Sequence, residues 1–121
     1  MRSTSRTHDR IVSKYRFPTD ELLKPLGISC CEIMRICAET PLRISFKKYG
    51  CDSRKEPDII YELEDYYLVG EIKSRNTYNN YLKAKKQSLM YSSILNKCDI
   101  RNKPFVALGD SDPELIYQSI L

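Results

Sequence analysis

Two short apolar runs in the middle of the chain predict a β-hairpin. Residues 58 to 63 and 66 to 73 are rich in isoleucine, valine, tyrosine and leucine, and each run has the length of a strand. Only Glu64 and Asp65 separate them, so a tight turn there makes residues whose numbers sum to 129 face each other. The apolar side chains of one hairpin face are predicted to be buried: Ile59, Tyr61, Leu63, Leu68 and Ile72.

The pattern before the hairpin predicts helices. A short helix is expected between Pro18 and Gly27. A second helix is expected from Ser29 to Pro41. Its apolar stripe is formed by Cys30, Ile33, Met34 and Cys37.

The remaining segments complete a predicted mixed α/β (α+β) fold, a central mixed sheet flanked by helices. Alternation predicts a strand over 42 to 46. The other expected elements are a loop over 47 to 56, a helix over 78 to 96, a buried strand over 105 to 108, a turn over 109 to 113 and a final strand or helix over 114 to 121. The order α, β, β, β, α, β is typical of a sheet with helices packed against it.

The length of 121 residues indicates one domain with a modest core. Residues 1 to 16 are polar and basic without clear periodicity, so we expect a flexible basic arm followed by a single domain over 17 to 121. No apolar run approaches the length of a membrane span, and the N-terminus lacks the apolar segment of a secretory signal. Five cysteines without a C-x-x-C pair indicate reduced thiols, so a cytoplasmic location is expected.

Charge is distributed unevenly along the chain. Net charge is +4, yet residues 56 to 71 hold six acids and no base. Residues 73 to 86 hold five bases and no acid. An acidic centre beside basic segments suits an enzyme that binds phosphates and holds a metal among them. The alternative is a basic tail and a solvated helix face.

Asp58 and Glu71 face each other in the predicted register, with their Cβ atoms roughly 5 Å apart. Carboxylates at that distance repel unless a positive charge lies between them. Lys73 projects from the same strand face as Glu71, because it follows two residues later. The set suits a divalent cation with an ammonium beside it, although a solvated hairpin face is the simpler alternative.

Pro57-Asp58 followed by Glu71-Ile72-Lys73 resembles the motif of the PD-(D/E)XK nuclease superfamily. The resemblance implies a restriction-endonuclease-like core over residues 29 to 121 and DNA as substrate. It implies that Asp58, Glu71 and the carbonyl of Ile72 bind Mg²⁺, with Mn²⁺ able to substitute. It also implies that Lys73 orients the attacking water.

Glu32 has two interpretations. Many members of the superfamily carry an acid on the first core helix that reaches the metals, which would make Glu32 catalytic. However, Ser29-Cys30-Cys31-Glu32 is also a capping box, in which Glu32 bonds back to the backbone of Ser29.

The predicted helix after the motif carries a polar stripe of Lys83, Gln87 and Tyr91. Gln-x-x-x-Tyr after Glu-x-Lys is similar to the RecB-like branch, where the pair lines the active site and contacts DNA. The alternative is a helix face half buried against the sheet. No iron–sulfur cluster is expected, because only Cys98 follows the motif.

The small size and the loop before the motif are similar to archaeal Holliday junction resolvases, which are dimers. That similarity implies a structure-specific endonuclease acting as a homodimer, our leading interpretation, ahead of a RecB-like exonuclease and a non-catalytic DNA-binding module. The expected DNA contacts are Arg43, Ser53, Arg54, Arg75, Lys83, Gln87 and Tyr91. No nicotinamide or nucleotide cofactor is expected without a glycine-rich phosphate loop, and His8, placed in the arm, indicates no catalytic triad or zinc site.

Overall fold

The computed structural model describes residues 3 to 38, 46 to 51, 53 and 55 to 117. Its helices and strands are, in chain order, α1 Ser3–Arg16, α2 Asp20–Leu23, β1 Arg35–Ala38, β2 Ile59–Glu62, β3 Tyr67–Lys73, α3 Tyr78–Lys97, β4 Asn102–Leu108 and β5 Glu114–Leu115. Single turns of 3-10 helix lie at Lys24–Leu26, Cys30–Glu32 and Phe46–Tyr49.

The five strands form one mixed sheet in the order β1-β2-β3-β4-β5. β1, β2 and β3 form an antiparallel meander, β4 runs parallel to β3, and β5 pairs antiparallel to β4. The parallel pair requires a crossover connection, which α3 provides. α1 and α2 pack on one sheet face and α3 packs on the other, so the expected mixed α/β class with a flanked central sheet is confirmed.

The β2–β3 hairpin has the predicted register. Tyr61 pairs with Leu68, and the amide of Leu63 donates to the carbonyl of Tyr66 at 3.0 Å across the two-residue turn. The face predicted to be buried lies in the core beneath α1. The opposite face is also buried, because Ile60 and Val69 pack beneath α3. The hairpin is therefore covered on both sides.

Gly70 is required by the packing of β3 against β4. The ring of Phe105 occupies the space that a Cβ at Gly70 would fill. The same ring stacks on Tyr61, with centroids 6.1 Å apart and planes 3° from parallel. This close approach brings the aromatic core against the β3 backbone.

The flexible arm predicted for residues 1 to 16 is wrong for the residues that the structure describes there. Residues 3 to 16 form α1, and Ile11, Val12 and Tyr15 are buried in the main core. Tyr61 donates from its hydroxyl to the carbonyl of Tyr15 at 2.7 Å, which ties the helix to β2. Few apolar residues mark this helix, so its stability comes from tertiary packing rather than from local propensity. α1 therefore belongs to the same core as α2, β2, β3 and β4.

The second predicted helix, from Ser29 to Pro41, is also wrong where it is described. One 3-10 turn follows Ser29, and the chain then enters β1, beginning with a bond from the Met34 amide to the Glu62 carbonyl at 2.8 Å. Met34 is 73% exposed, so the proposed apolar stripe does not form. Pairing with the free edge of β2 outweighs the helical pattern, because it satisfies a whole row of backbone groups.

The other predicted elements have mixed outcomes. The short helix is confirmed as α2 with its 3-10 extension, and Gly27 ends it with a left-handed φ of 77°. The long helix and the buried strand are confirmed as α3 and β4. The predicted strand over 42 to 46 lies outside the described residues except for Phe46, which begins a 3-10 turn. Among the described helices, none combines the length and apolarity needed to cross a bilayer.

Replacing Gly70 by alanine is expected to destabilise the fold by about 1 to 3 kcal/mol, because the added methyl overlaps the Phe105 ring. Urea denaturation measures the loss. A Phe105→Leu change makes room for the methyl, so the double mutant should lose less stability than the sum of the single mutants. Additive losses would contradict the contact.

Candidate active site

Asp58 and Glu71 lie together at the open end of the β2–β3 hairpin. Ile59 pairs with Gly70, so one further step in the same register places Asp58 beside Glu71. Both side chains are buried, with 7% and 6% of their surface exposed. The charge of Asp58 acts directly on the carboxyl group of Glu71 and raises its pKa. The structure therefore brings the two predicted acids into one buried pair.

Asp58 is held by the backbone of β3. Its Oδ2 accepts a hydrogen bond from the amide of Ile72 at 2.7 Å. The amide is available because β2 begins at Ile59 and provides no strand partner beyond Gly70 on that side. The carboxylate takes the place of the missing ladder carbonyl, so the end of a strand positions an acid.

The carbonyl of Ile72 points to the same edge, because the amide and carbonyl of one strand residue share a direction. His8 of α1 donates from Nε2 to this oxygen at 3.0 Å. The same nitrogen lies 3.6 Å from Oδ2 of Asp58. An imidazole, a carboxylate and a backbone carbonyl therefore meet at one point.

The prediction of an arm over residues 1 to 16 does not bring His8 to the site. A signal was present, however. His8, Ile11, Val12 and Tyr15 follow the i, i+3, i+4, i+7 spacing of one helix face. Because the last three are buried against the sheet, the first is carried onto the same side, at the end of β3.

Glu71 is bounded by a phenol and an ammonium. The hydroxyl of Tyr91 on α3 donates to Oε1 of Glu71 at 3.0 Å. Nζ of Lys73 lies 3.3 Å from Oε2 of the same carboxylate. Burial, followed by repulsion from Asp58, raises the pKa of Glu71 to about 7, while Lys73 and Tyr91 oppose the rise. The carboxyl thus changes charge near neutral pH.

The donor set fits a small hard cation. Mg²⁺ takes one or two carboxylates and completes its shell with waters and substrate phosphate oxygens. Asp58, Glu71 and the Ile72 carbonyl supply three oxygens at one place. A divalent cation there also relieves the repulsion that raises the Glu71 pKa. Within the described ranges, no three His, Cys, Asp or Glu side chains form a ready-made metal cluster, so the fit is to a water-rich site.

The polar stripe on α3 reaches this site in part. Tyr91 touches Glu71, and Gln87 lies one turn before it with its Oε1 shielded from solvent and lacking a hydrogen-bond partner among the described residues. Lys83, a further turn away, is exposed, as is Arg75 in the β3–α3 loop. The alternative of a helix face packed against the sheet therefore describes Gln87 and Tyr91 but not Lys83.

The remaining predicted DNA contacts lie before the hairpin. The hydroxyl of Ser53 accepts from the amide of Lys55 at 3.1 Å, a local turn contact. Arg43 and Arg54 lie outside the described residues.

Glu32 is not brought to the Asp58–Glu71 pair. Its Oε2 accepts from the amide of Ser29 at 2.7 Å, and the capping box is complete. Glu32 interacts electrostatically with Tyr66, beside the hairpin turn, whereas Asp58 lies at the open end. Residue 62, at the turn end of β2, lies about 13 Å along the strand from residue 58, at its open end. The structure therefore supports the cap and contradicts the catalytic interpretation.

Comparisons of the chain with protein-family models, with curated proteins and with solved structures return no match. The geometry around Asp58 and Glu71 therefore carries the functional proposal.

The buried carboxyl predicts an unusual pH dependence of stability. Because the folded-state pKa of Glu71, about 7, exceeds the ordinary value of 4.5, the folded protein keeps a proton that the unfolded chain has released between these values. Stability contributed by this group is therefore present below pH 4.5 and lost as pH rises through 7.

Glu71→Gln is accordingly expected to stabilise the metal-free protein at pH 8 by on the order of 2 kcal/mol, with no gain at pH 4. Chemical denaturation at both pH values, in the presence of a chelator, measures this. Glu64→Gln, at the exposed turn of the same hairpin, is the matched control. A stabilisation that is independent of pH would contradict the raised pKa.

Proposed function

We propose that this chain is a Mg²⁺-dependent nuclease that hydrolyses phosphodiester bonds in DNA. The observation that carries the proposal is the convergence of Asp58, Glu71, Lys73 and the Ile72 carbonyl at one buried point. The sheet adds support, because an antiparallel meander followed by a parallel fourth strand agrees with the element order of the PD-(D/E)XK superfamily that the motif resembles.

Asp58, Glu71 and the Ile72 carbonyl are the groups that would hold the ion. When bound, Mg²⁺ polarises a phosphate and lowers the pKa of coordinated water. The short Asp58–Ile72 bond keeps one oxygen of Asp58 in place, so this ligand is preorganised. His8 donates to the Ile72 carbonyl and lies beside Asp58, so it would orient these two ligands rather than bind the ion itself.

Lys73 and Tyr91 act on charge and orientation. The Lys73 ammonium lies beside Glu71, where it can orient the attacking water and offset negative charge that develops on the phosphate. Tyr91 donates to the other oxygen of Glu71, which fixes the rotation of that carboxylate. Both contacts come from well-ordered secondary structure, β3 and α3.

The negative charge of a DNA substrate is matched by the basic segment that follows Lys73. Arg75, Lys83 and Lys86 are exposed on the β3–α3 loop and the first half of α3. Lysine and arginine on such a surface neutralise DNA phosphates and release counterions. Asp58 and Glu71, by contrast, expose only 7% and 6% of their surface, at the proposed metal site.

Within the nuclease class, the hydrogen bond from Tyr91 to Glu71 favours the RecB-like branch, in which the Gln-x-x-x-Tyr pair lines the active site. The resolvase-type endonuclease is the second candidate. It requires a two-fold dimer, for which Tyr78 and Leu82 offer apolar surface, with 74% and 45% exposed. Ile116, by contrast, is buried against Ala84, Val106 and Leu108, so it offers no such surface.

Incubating the purified chain with labelled duplex, single-stranded and four-way-junction DNA tests the proposal, with Mg²⁺, with Mn²⁺ and with a chelator. Metal-dependent degradation from ends supports the RecB-like candidate. Paired symmetric cuts of the junction by a dimer support the resolvase. DNA binding without cleavage under every metal condition would overturn the nuclease in favour of a binding module.

Asp58→Asn is expected to lower cleavage at least 100-fold while DNA affinity stays the same or rises, since a metal ligand and a repulsive charge are lost together. Initial rates and fluorescence anisotropy measure the two effects. Asp65→Asn, at the exposed hairpin turn, serves as control. Lys73→Met should lower the rate without abolishing Mg²⁺ binding. Unchanged cleavage by the Asp58 variant would refute the site.

His8→Ala is expected to raise the Mg²⁺ concentration needed for half-maximal cleavage about tenfold or more, because the side chain that orients the Ile72 carbonyl and Asp58 is removed. Thermal stabilisation by Mg²⁺ should weaken in parallel. Asp9→Ala, the exposed neighbour on α1, controls for the helix. An unchanged Mg²⁺ requirement in the His8 variant would leave His8 outside the site.

A further inference from the structure

A cavity lies beside the proposed active site. It has a volume of about 280 Å³ and opens between the first turn of α3 and the β4–β5 edge of the sheet. Its size is near the lower end of small-molecule pockets, about 300 to 1,000 Å³. A cavity of this size suits one planar ring system rather than a long ligand.

The walls of the cavity differ in chemistry. Val106 and Leu108 of β4 form an apolar floor, and Tyr78 and Tyr81 of α3 stand on one side. Glu114 pairs directly with Val106 across the β4–β5 ladder, so both side chains are on the α3 face of the sheet. The cavity is therefore apolar below, aromatic on one side and acidic along the other.

Asp112 joins Glu114 on the acidic side of the cavity. One end is held in place by a hydrogen bond from Nδ2 of Asn76 to Oγ of Ser111, at 2.7 Å. This bond links the β3–α3 loop to the turn after β4. The cavity is thus preorganised by two loops that are tied together.

The cavity is close to the proposed chemistry. Asn76 follows Lys73 by three residues, so their Cα atoms are at most about 11 Å apart. The amide of Gly109 donates to the carbonyl of Lys73 at 2.8 Å, which holds the β4–β5 turn against the end of β3. The mouth of the cavity is therefore within a few nucleotides' reach of a phosphate placed at Asp58 and Glu71.

Resting on the proposed nuclease function, we propose that this cavity binds one unpaired nucleobase of the DNA strand, with the amino-bearing bases adenine, cytosine and guanine preferred over thymine. Tyrosine rings stack on bases, and base stacking is tolerant of sequence. Carboxylates accept hydrogen bonds from the exocyclic amino groups that adenine, cytosine and guanine carry and thymine lacks. The cavity thereby holds a strand end or an extruded base next to the cleavage site.

The acidic side of the cavity also disfavours a phosphate as its occupant. Asp112 and Glu114 would repel a phosphate, while exposed Arg75 on the adjoining loop attracts the backbone outside the cavity. A base inside the cavity avoids repulsion by the two carboxylates, and its phosphate outside the cavity is attracted by Arg75. A nuclease with this cavity would therefore favour DNA substrates that carry unpaired nucleotides.

The test uses the full chain with Asp58→Asn, which prevents cleavage, and a single-stranded oligonucleotide carrying 2-aminopurine at one position at a time. Binding should quench fluorescence strongly at one position, because the base analogue stacks on tyrosine. Tyr78→Ala should remove that quenching and weaken affinity about fivefold or more. Tyr117→Ala, an equally exposed tyrosine outside this cavity, should change neither. Glu114→Gln should reduce the preference for adenine and cytosine over thymine at the same position.

Equal quenching at all positions, or quenching that survives Tyr78→Ala, would overturn the base pocket. Cleavage by the wild-type chain is measured separately, so each proposal can fail without the other. Metal-dependent cleavage without position-specific quenching removes the pocket and leaves the nuclease. Quenching that depends on Tyr78, without any cleavage by the wild-type chain, keeps a base-binding site and removes the nuclease.

Discussion

The whole candidate site depends on the place where β2 begins. Because β2 starts at Ile59, the amide and carbonyl of Ile72 on β3 have no strand partner on that side. Asp58 accepts from the amide and His8 donates to the carbonyl, so both backbone groups are satisfied by functional side chains. A buried strand end with unpaired groups would be costly, and this requirement holds the two side chains in position.

The same arrangement creates an electrostatic conflict that the fold only partly relieves. Glu71 is forced beside Asp58 by the hairpin register and is covered by α3. Lys73 and Tyr91 offset some of the repulsion, yet the pKa of Glu71 remains well above its ordinary value. A site that lowers stability when ionised and gains from a cation is typical of functional rather than structural acids.

Helix α3 connects the proposed chemistry with the proposed substrate contacts. Its first turn lines the cavity that contains Tyr78 and Tyr81, and its exposed lysines follow. Tyr91, further along the helix, donates a hydrogen bond to Glu71. The helix packs over β3 and β4 as the crossover between two parallel strands, so its course is set by the sheet. The hydrogen bond to Glu71, the proposed base contacts and the proposed phosphate contacts thus lie along one helix.

The sequence by itself determined the features that depend on local pattern. A two-residue turn between alternating apolar runs specifies the hairpin register, so the Asp58–Glu71 pairing and the side of Lys73 could be predicted. Tertiary structure decided the rest. Whether residues 35 to 38 form a helix or a strand depends on the free edge of β2, and whether residues 3 to 16 form an arm or a core helix depends on the sheet face they cover. His8 lies in the candidate site and Glu32 lies outside it because long-range burial of α1 and backbone pairing of β1 placed the segments that carry these residues.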